Sequence, residues 1–261
     1  MTAASGTPAT RYDEQPQYLI YIVLDTSMSM RTHPKLGPVR EPDQMRHTPL
    51  GMFADALPPM LARLCAKTMV AGSASVCLVA FNDEPETLLP MTPLSETFSI
   101  GSPRIGHATD YAKAFGYLTR LHPADVETVR RVKQAQVRPG VRIGVASPWI
   151  YFITDGKPAI GREEQPRHQW LGARDTLVRS QSARIVTIGL PGADEGVLWD
   201  VSTGDGDRRN ALIAEGPLTP RALADMVSSV ISASIVTSTR IGVLTIENIP
   251  EGMRRIARPA P

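Results

Sequence analysis

The chain has 261 residues, 42% of them hydrophobic and 21% charged, with 28 Lys and Arg against 26 Asp and Glu. That length and balance suit one large globular domain. A formal net charge of +2 is too close to neutral to favour nucleic acid or an anionic membrane as a partner, and no run of the sequence approaches the ~18 apolar residues that span a bilayer.

Residues 1–16 are rich in Thr, Ala and Pro and lack the basic start and apolar core of a secretory leader. They read as a flexible tail, followed by one domain over 17–250 and a second tail over 251–261. Tyr18–Leu24 is an uncharged apolar run that stops at Asp25, and its β-branched and aromatic content reads as a buried strand. The loop after Ser29 is long and rich in proline, and is expected to lie beside a site. Thr48-Pro49 opens a helix, hydroxyl cap then proline, which Pro58-Pro59 should kink or restart.

Ser75–Phe81 reads as a second buried strand, with a short edge strand at 86–89. A helix over about 110–121 follows the loop Ile105-Gly-His-Ala-Thr-Asp110, then a charged segment with a weak apolar stripe at Val126, Val129 and Val132. Trp149–Thr154 is a third buried strand, and it too stops at an aspartate, Asp155. A helix over about 166–180, a strand over 183–190, a short helix near 194–201, a strand over 210–214 and a helix from Thr219 to about 236 complete the alternation. Ile241–Ile249 alternates enough to suggest an edge strand. Strands that are apolar on both faces and alternate with helices indicate an α/β fold, doubly wound, with a mostly parallel central sheet and helices on both faces. Ligands of such sheets bind at the carboxyl ends of the strands.

Asp25, Ser27, Ser29, Thr109 and Asp155 thus form a set of oxygen-bearing side chains on three loops. A capping role for Asp25 and Ser27 is the plainer reading of that stretch alone. Two carboxylates with three hydroxyls suit Mg²⁺, with Mn²⁺ or Ca²⁺ as alternatives. The set leaves the cation under-neutralised, so an outside carboxylate could complete its shell.

Asp25-Thr-Ser-Met-Ser29, the Gly106-x-x-Thr-Asp110 helix start and Ile153-Thr-Asp-Gly156 together resemble the metal-ion-dependent adhesion site (MIDAS) of von Willebrand factor A (VWA) domains, in order and spacing across roughly residues 17–236. The resemblance implies that Ser27, Ser29 and Thr109 contact Mg²⁺ directly or through water, that Asp25 and Asp155 act mainly through water, and that a partner's Asp or Glu becomes the sixth ligand. Leu57-Pro, Val79-Ala-Phe81, Leu89-Pro-x-Thr-Pro-Leu94, Phe152–Pro158 and Met226–Ser234 are similar to the bacterial TerY-like, tellurium-resistance-associated branch. That likeness implies a stress-response or signalling setting beside a protein kinase or a PP2C-type phosphatase. The basic stretch 31–46 and the His107-Ala108 pair depart from the branch.

The resulting expectation is a non-enzymatic, cytoplasmic interaction module with no catalytic residues. The rival is a Mg²⁺-dependent phosphohydrolase or phosphotransferase, for which Lys157 near Asp155 is the one suggestive cation; the second aspartate such chemistry wants after Asp25 is replaced by Ser27. Cys65 and Cys77 read as buried free thiols. Arg130-Arg131-Val-Lys133 and Arg208-Arg209 read as solvated faces. Thr203-Gly-Asp-Gly-Asp207 reads as a polar turn, not a Ca²⁺ loop, and His107 as a residue on the rim of the site.

Overall fold

Every residue from Tyr18 to Leu24 is buried. They form the inner part of strand β1 (Asp13–Asp25) in a computed structural model that describes residues 13–258, apart from Pro34, Arg40, Ile105, Arg162, Asp207, Pro217 and Leu218. Successive side chains of a strand face opposite sides. Tyr18, Ile20, Ile22 and Leu24 join one core layer, and Leu19, Tyr21 and Val23 the other. Both faces of β1 are covered, which is why its sequence shows no apolar–polar alternation.

In chain order the main elements are α1 (Pro49–Cys65), α2 (Thr68–Ser73), β2 (Ala74–Phe81), β3 (Glu86–Pro93), α3 (Tyr111–Gln134), β4 (Val141–Val145), β5 (Trp149–Thr154), α4 (Arg167–Gln181), β6 (Arg184–Gly189), α5 (Glu195–Val201), β7 (Ala211–Ala214), α6 (Pro220–Ile241) and β8 (Met253–Arg255). The sheet runs β8-β7-β6-β5-β1-β2-β3, with β4 also paired to β1. Only β3 and β8 are antiparallel to their neighbours. Helices α1, α2 and α6 cover one face, and α3 and α4 cover the other. The chain leaves β1 in one direction along the sheet and returns to its other side through β5. The carboxyl ends of β1 and β5 therefore flank the switch point, where open α/β sheets hold their ligands.

Local chemistry explains the helix ends. Thr48 accepts from Gly51 N and Thr219 from Ala222 N, each followed by proline in the first turn. Helix α1 runs through Pro58 and Pro59 as one element, without the restart that was one of the two expectations there. The carbonyls those prolines cannot bond belong to Ala54 and Asp55, which are exposed and open to water. Pro123 likewise leaves Thr119 O without its helical donor. Gln181 Nε2 supplies one at 2.8 Å, so α3 absorbs the charged segment read as separate. By length and composition α6 could cross a membrane, yet Val227, Val230, Ile231 and Ile235 are buried in the core.

Three expectations need correction. The flexible tail was expected to run to residue 16, but 13–17 pair with β4, a strand the sequence did not reveal. Pro16 fits there because this part of β1 has a partner on one side only. The tail expected over 251–261 contains β8, anchored by buried Met253 and Ile256 and by Arg254, which reaches Glu195 and Glu215. Residues 1–12 and 259–261 lie outside the described residues. Ile241–Ile249 is not a strand. Its apolar alternation is real, with Leu244 and Ile246 buried. But Thr245 N donates to Ser238 Oγ at 2.8 Å and Thr245 O accepts from Ser234 Oγ at 2.6 Å, so serines of α6 take the hydrogen bonds a neighbouring strand would have made.

Candidate metal centre

Strand β1 ends at Asp25, and the turn that follows folds back on it. Ser27 N donates to Asp25 Oδ1 at 2.9 Å. Asp25 Oδ2 accepts from Thr154 Oγ1 at 2.7 Å. Ser27 Oγ lies 3.1 Å from Ser29 Oγ, and Ser29 Oγ donates to Asp155 Oδ1 at 2.8 Å. Four of the five expected residues are therefore one hydrogen-bonded chain, closed by the last residue of β5. Asp25 and Ser27 are buried and Ser29 is exposed, so the cluster opens to solvent on the Ser29 side.

Thr109 arrives by a separate route. Its N–H and C=O pair with Ala159 at 2.9 and 3.1 Å, which ties its loop to the segment leaving Asp155. A methyl group added at Gly156 would stand 4.0 Å from Thr109 Oγ1, so this hydroxyl faces the Asp155-Gly156 turn. Asp83 accepts from His107 N and Ala108 N, and Arg31 Nη2 donates to Gly106 O at 2.7 Å. Gly106 can be nothing larger, because a Cβ there would sit 2.2 Å from the Asn82 side chain. The loop with the unfamiliar His107-Ala108 pair is thus held from three sides. Asp110 caps α3 by accepting from Lys113 N. His107 is exposed at the rim, and its contact to Asp83 is through the backbone.

Several supports were not singled out from the sequence. Tyr111 OH lies 3.0 Å from Thr154 Oγ1 and 3.2 Å from Gly156 O. It can hold Thr154 so that the threonine proton points at Asp25. Gln165 Nε2 donates to Asp110 Oδ1 at 2.7 Å while its Oε1 accepts from Tyr111 N at 3.1 Å. Thr154 stood inside the Ile-Thr-Asp-Gly motif and was the one legible signal; Gln165 had none. Arg31, the first residue of the basic stretch, is buried.

Burial pushes the Asp25 carboxyl well above the usual carboxylate range. The negative Asp155 beside it pushes further, and hydrogen bonds from Thr154 and Ser27 only partly offset this. Burial raises Asp155 too, opposed by Ser29. Among the described residues, no lysine, arginine or histidine is a group acting on either carboxyl. Lys157, which the phosphoryl-transfer reading would need, pairs with Asp194 at 3.1 Å instead. Two carboxylates gathered without a protein cation are costly unless a cation joins them. The donors are all hard oxygens, and among the described residues no three His, Cys, Asp or Glu side chains come together. The set therefore suits a hard divalent ion and not a zinc site built from histidine or cysteine.

Comparison with solved structures finds this arrangement of elements elsewhere. Proximal thread matrix protein 1 from the mussel byssus superposes with a TM-score of 0.52 at 14% identity over 87% of this chain and 49% of its own. A structure of the same mussel protein with a zinc-occupied MIDAS motif superposes at 0.50, with 13% identity over 87% of this chain and 49% of its own. The fold is the von Willebrand factor A fold. The pilus adhesin SpaC from Lactobacillus rhamnosus GG superposes at 0.53 with 11% identity, over 86% of this chain and 31% of its own. The chain thus spans about half the length of the mussel protein and less of the adhesin. No family model and no curated protein matches the sequence.

Proposed function

We propose that this VWA domain is a non-enzymatic protein-interaction module that works through a divalent cation, preferentially Mg²⁺, at an intact MIDAS. The observation that carries the reading is the Asp25–Asp155 pair, two strand-end carboxylates supported by hydroxyls and without a counter-cation among the described residues. Ser27, Ser29 and Thr109 would hold the ion directly or through water, with Asp25 and Asp155 acting mainly through water. The ion would supply a Lewis-acidic position for a carboxylate from the partner. The chain's own residues orient the donors: Thr154 and Tyr111 fix Asp25, Ser29 fixes Asp155, and Asp83 with Arg31 fix the Thr109 loop.

The finer placement rests on sequence likeness. The TerY-like features point to a cytoplasmic bacterial stress-response or signalling system, with a kinase or a PP2C-type phosphatase as partner and no role for membrane or nucleic acid. The ion pair between Lys157 and Asp194 favours this reading over phosphoryl transfer, which would want the lysine at Asp155.

A pull-down from cell lysate with and without Mg²⁺ tests the proposal. Retention of a partner should disappear in EDTA and with Asp25→Ala, while circular dichroism stays unchanged. Retention that persists in excess EDTA would remove the metal from the mechanism.

A further inference from the structure

The opposite end of the sheet carries a second cluster that the proposed function does not use. Arg184 opens β6, Arg208-Arg209 lead into β7, and Arg174 projects from α4. With Ser182 and Thr203 they line a cavity of about 380 Å³ at the amino ends of these strands. Three arginines, Arg174, Arg184 and Arg209, are among the residues that line it, and no Asp or Glu is among the described ones. The volume falls at the lower end of the range for small-molecule sites.

Two of the arginines are held rigidly. Arg174 Nε donates to Val201 O at 3.1 Å and Nη2 to Ser202 O at 2.6 Å. Arg209 Nη1 donates to Trp199 O at 2.8 Å, and its guanidinium stands 5.5 Å from the Trp199 ring centre. These bonds satisfy carbonyls at the end of α5, yet they fix two positive groups close together. Burial holds Arg209 below its ordinary value, and the neighbouring Arg174 charge adds to this. Nearby carboxylates offset the excess only in part: Asp175 pairs with Arg174, Asp200 pairs with Arg167, and both also act on Arg209. All side-chain hydrogen bonds of Arg209 leave from Nη1, and the Arg184 guanidinium makes none among the described residues. N–H donors thus remain on two sides of the cavity.

We propose that this cavity binds the phosphate monoester or diphosphate group of a small soluble ligand. Guanidinium forks match phosphate oxygens in pairs. Three arginines around one cavity, from α4, the start of β6 and the segment before β7, suit a tetrahedral dianion with three or more acceptor oxygens better than a planar carboxylate with two. Ser182 adds a hydroxyl-bearing side chain to the lining, whereas the Thr203 hydroxyl is taken up by the Ile185 backbone. The site lies at the end of the strands away from Asp25 and Asp155, so it does not depend on a cation there.

The test is calorimetric titration of pyrophosphate, and separately of inorganic phosphate, into the whole chain near physiological ionic strength with EDTA present. EDTA excludes phosphate held through a cation at the other end. Saturable one-to-one binding is expected, tighter for pyrophosphate. Arg184→Gln should weaken it about 10- to 100-fold, because it removes an exposed guanidinium and leaves the bonds of Arg174 and Arg209 in place. Arg221→Gln, an exposed arginine at the start of α6, should bind like the parent chain. Trp199 fluorescence should change on binding in the parent chain. No saturable heat, or equal weakening in both variants, would overturn the proposal by reducing the effect to general surface charge.

Discussion

The two ends of the central sheet gather opposite charges by the same device. At the carboxyl end, Asp25 and Asp155 are held by hydroxyls of Thr154 and Ser29. At the amino end, Arg174 and Arg209 are held by backbone carbonyls of Val201, Ser202 and Trp199. In both places neutral dipoles orient like charges that no opposite side chain fully neutralises. A third buried polar cluster differs in kind. Tyr21 OH donates to Asp125 Oδ2 at 2.8 Å and lies 3.1 Å from His122 Nδ1. A hydroxyl has one proton, so with that proton on Asp125 the histidine nitrogen donates back to the tyrosine oxygen. That cluster satisfies its own donors and acceptors, whereas the two ends of the sheet are the places proposed to take a ligand.

The largest expected effect separates these classes at the carboxyl end. Mg²⁺ at about 100 times its dissociation constant should stabilise the parent chain by about 2.7 kcal/mol, a rise of roughly 5–10 °C in melting temperature. Asp25→Ala should abolish that rise, as read by scanning calorimetry. An equal rise in the variant would place the ion elsewhere. Thr154→Val keeps the side chain's shape but removes the donor to Asp25 and the partner of Tyr111 OH. It should cost about 2–3 kcal/mol by chemical denaturation and also weaken the ion; a loss of stability without weaker metal binding would make Thr154 purely structural.

The self-contained cluster should respond to pH and not to ligands. Burial holds His122 at about 4, below its ordinary 6.5. As pH falls, the unfolded chain takes up this proton first. Stability is therefore lost between about 6.5 and 4 and not further below, by at most about 3 kcal/mol and less where solvent screens the ring. His122→Gln should flatten this part of the denaturation profile, and an unchanged profile would assign the loss to other groups. The smallest effect belongs to the amino end. Arg184→Gln should leave the melting temperature within about 2 °C, because the residue is exposed, and a larger drop would mean that Arg184 supports the fold.

The architecture was legible because burial on both faces leaves a plain mark: uninterrupted apolar runs that stop at aspartates. The same runs pointed to Asp25 and Asp155, and spacing pointed to Ser27, Ser29 and Thr109. What escaped were features set by tertiary partners. Gln181 repairing the α3 break at Pro123, Ser234 and Ser238 taking the bonds of Thr245, and Gln165 joining Asp110 to Tyr111 all act over distances where sequence carries no period. The strand at Val141–Val145 escaped because its partner, residues 13–17, is polar and contains a proline. Arg208-Arg209 read as solvated charge, since nothing local shows that Arg209 stacks on Trp199 and reaches the end of α5.

A divalent cation held by the hydroxyl-braced carboxylates of Asp25 and Asp155 is what the proposed function stands on. The most direct measurement is isothermal titration of Mg²⁺, then Mn²⁺, into the metal-free chain and into Asp25→Ala. The account predicts one saturable site in the parent chain, lost in the variant while its fold is retained. Absence of binding in the parent chain, or undiminished binding in the variant, would contradict it.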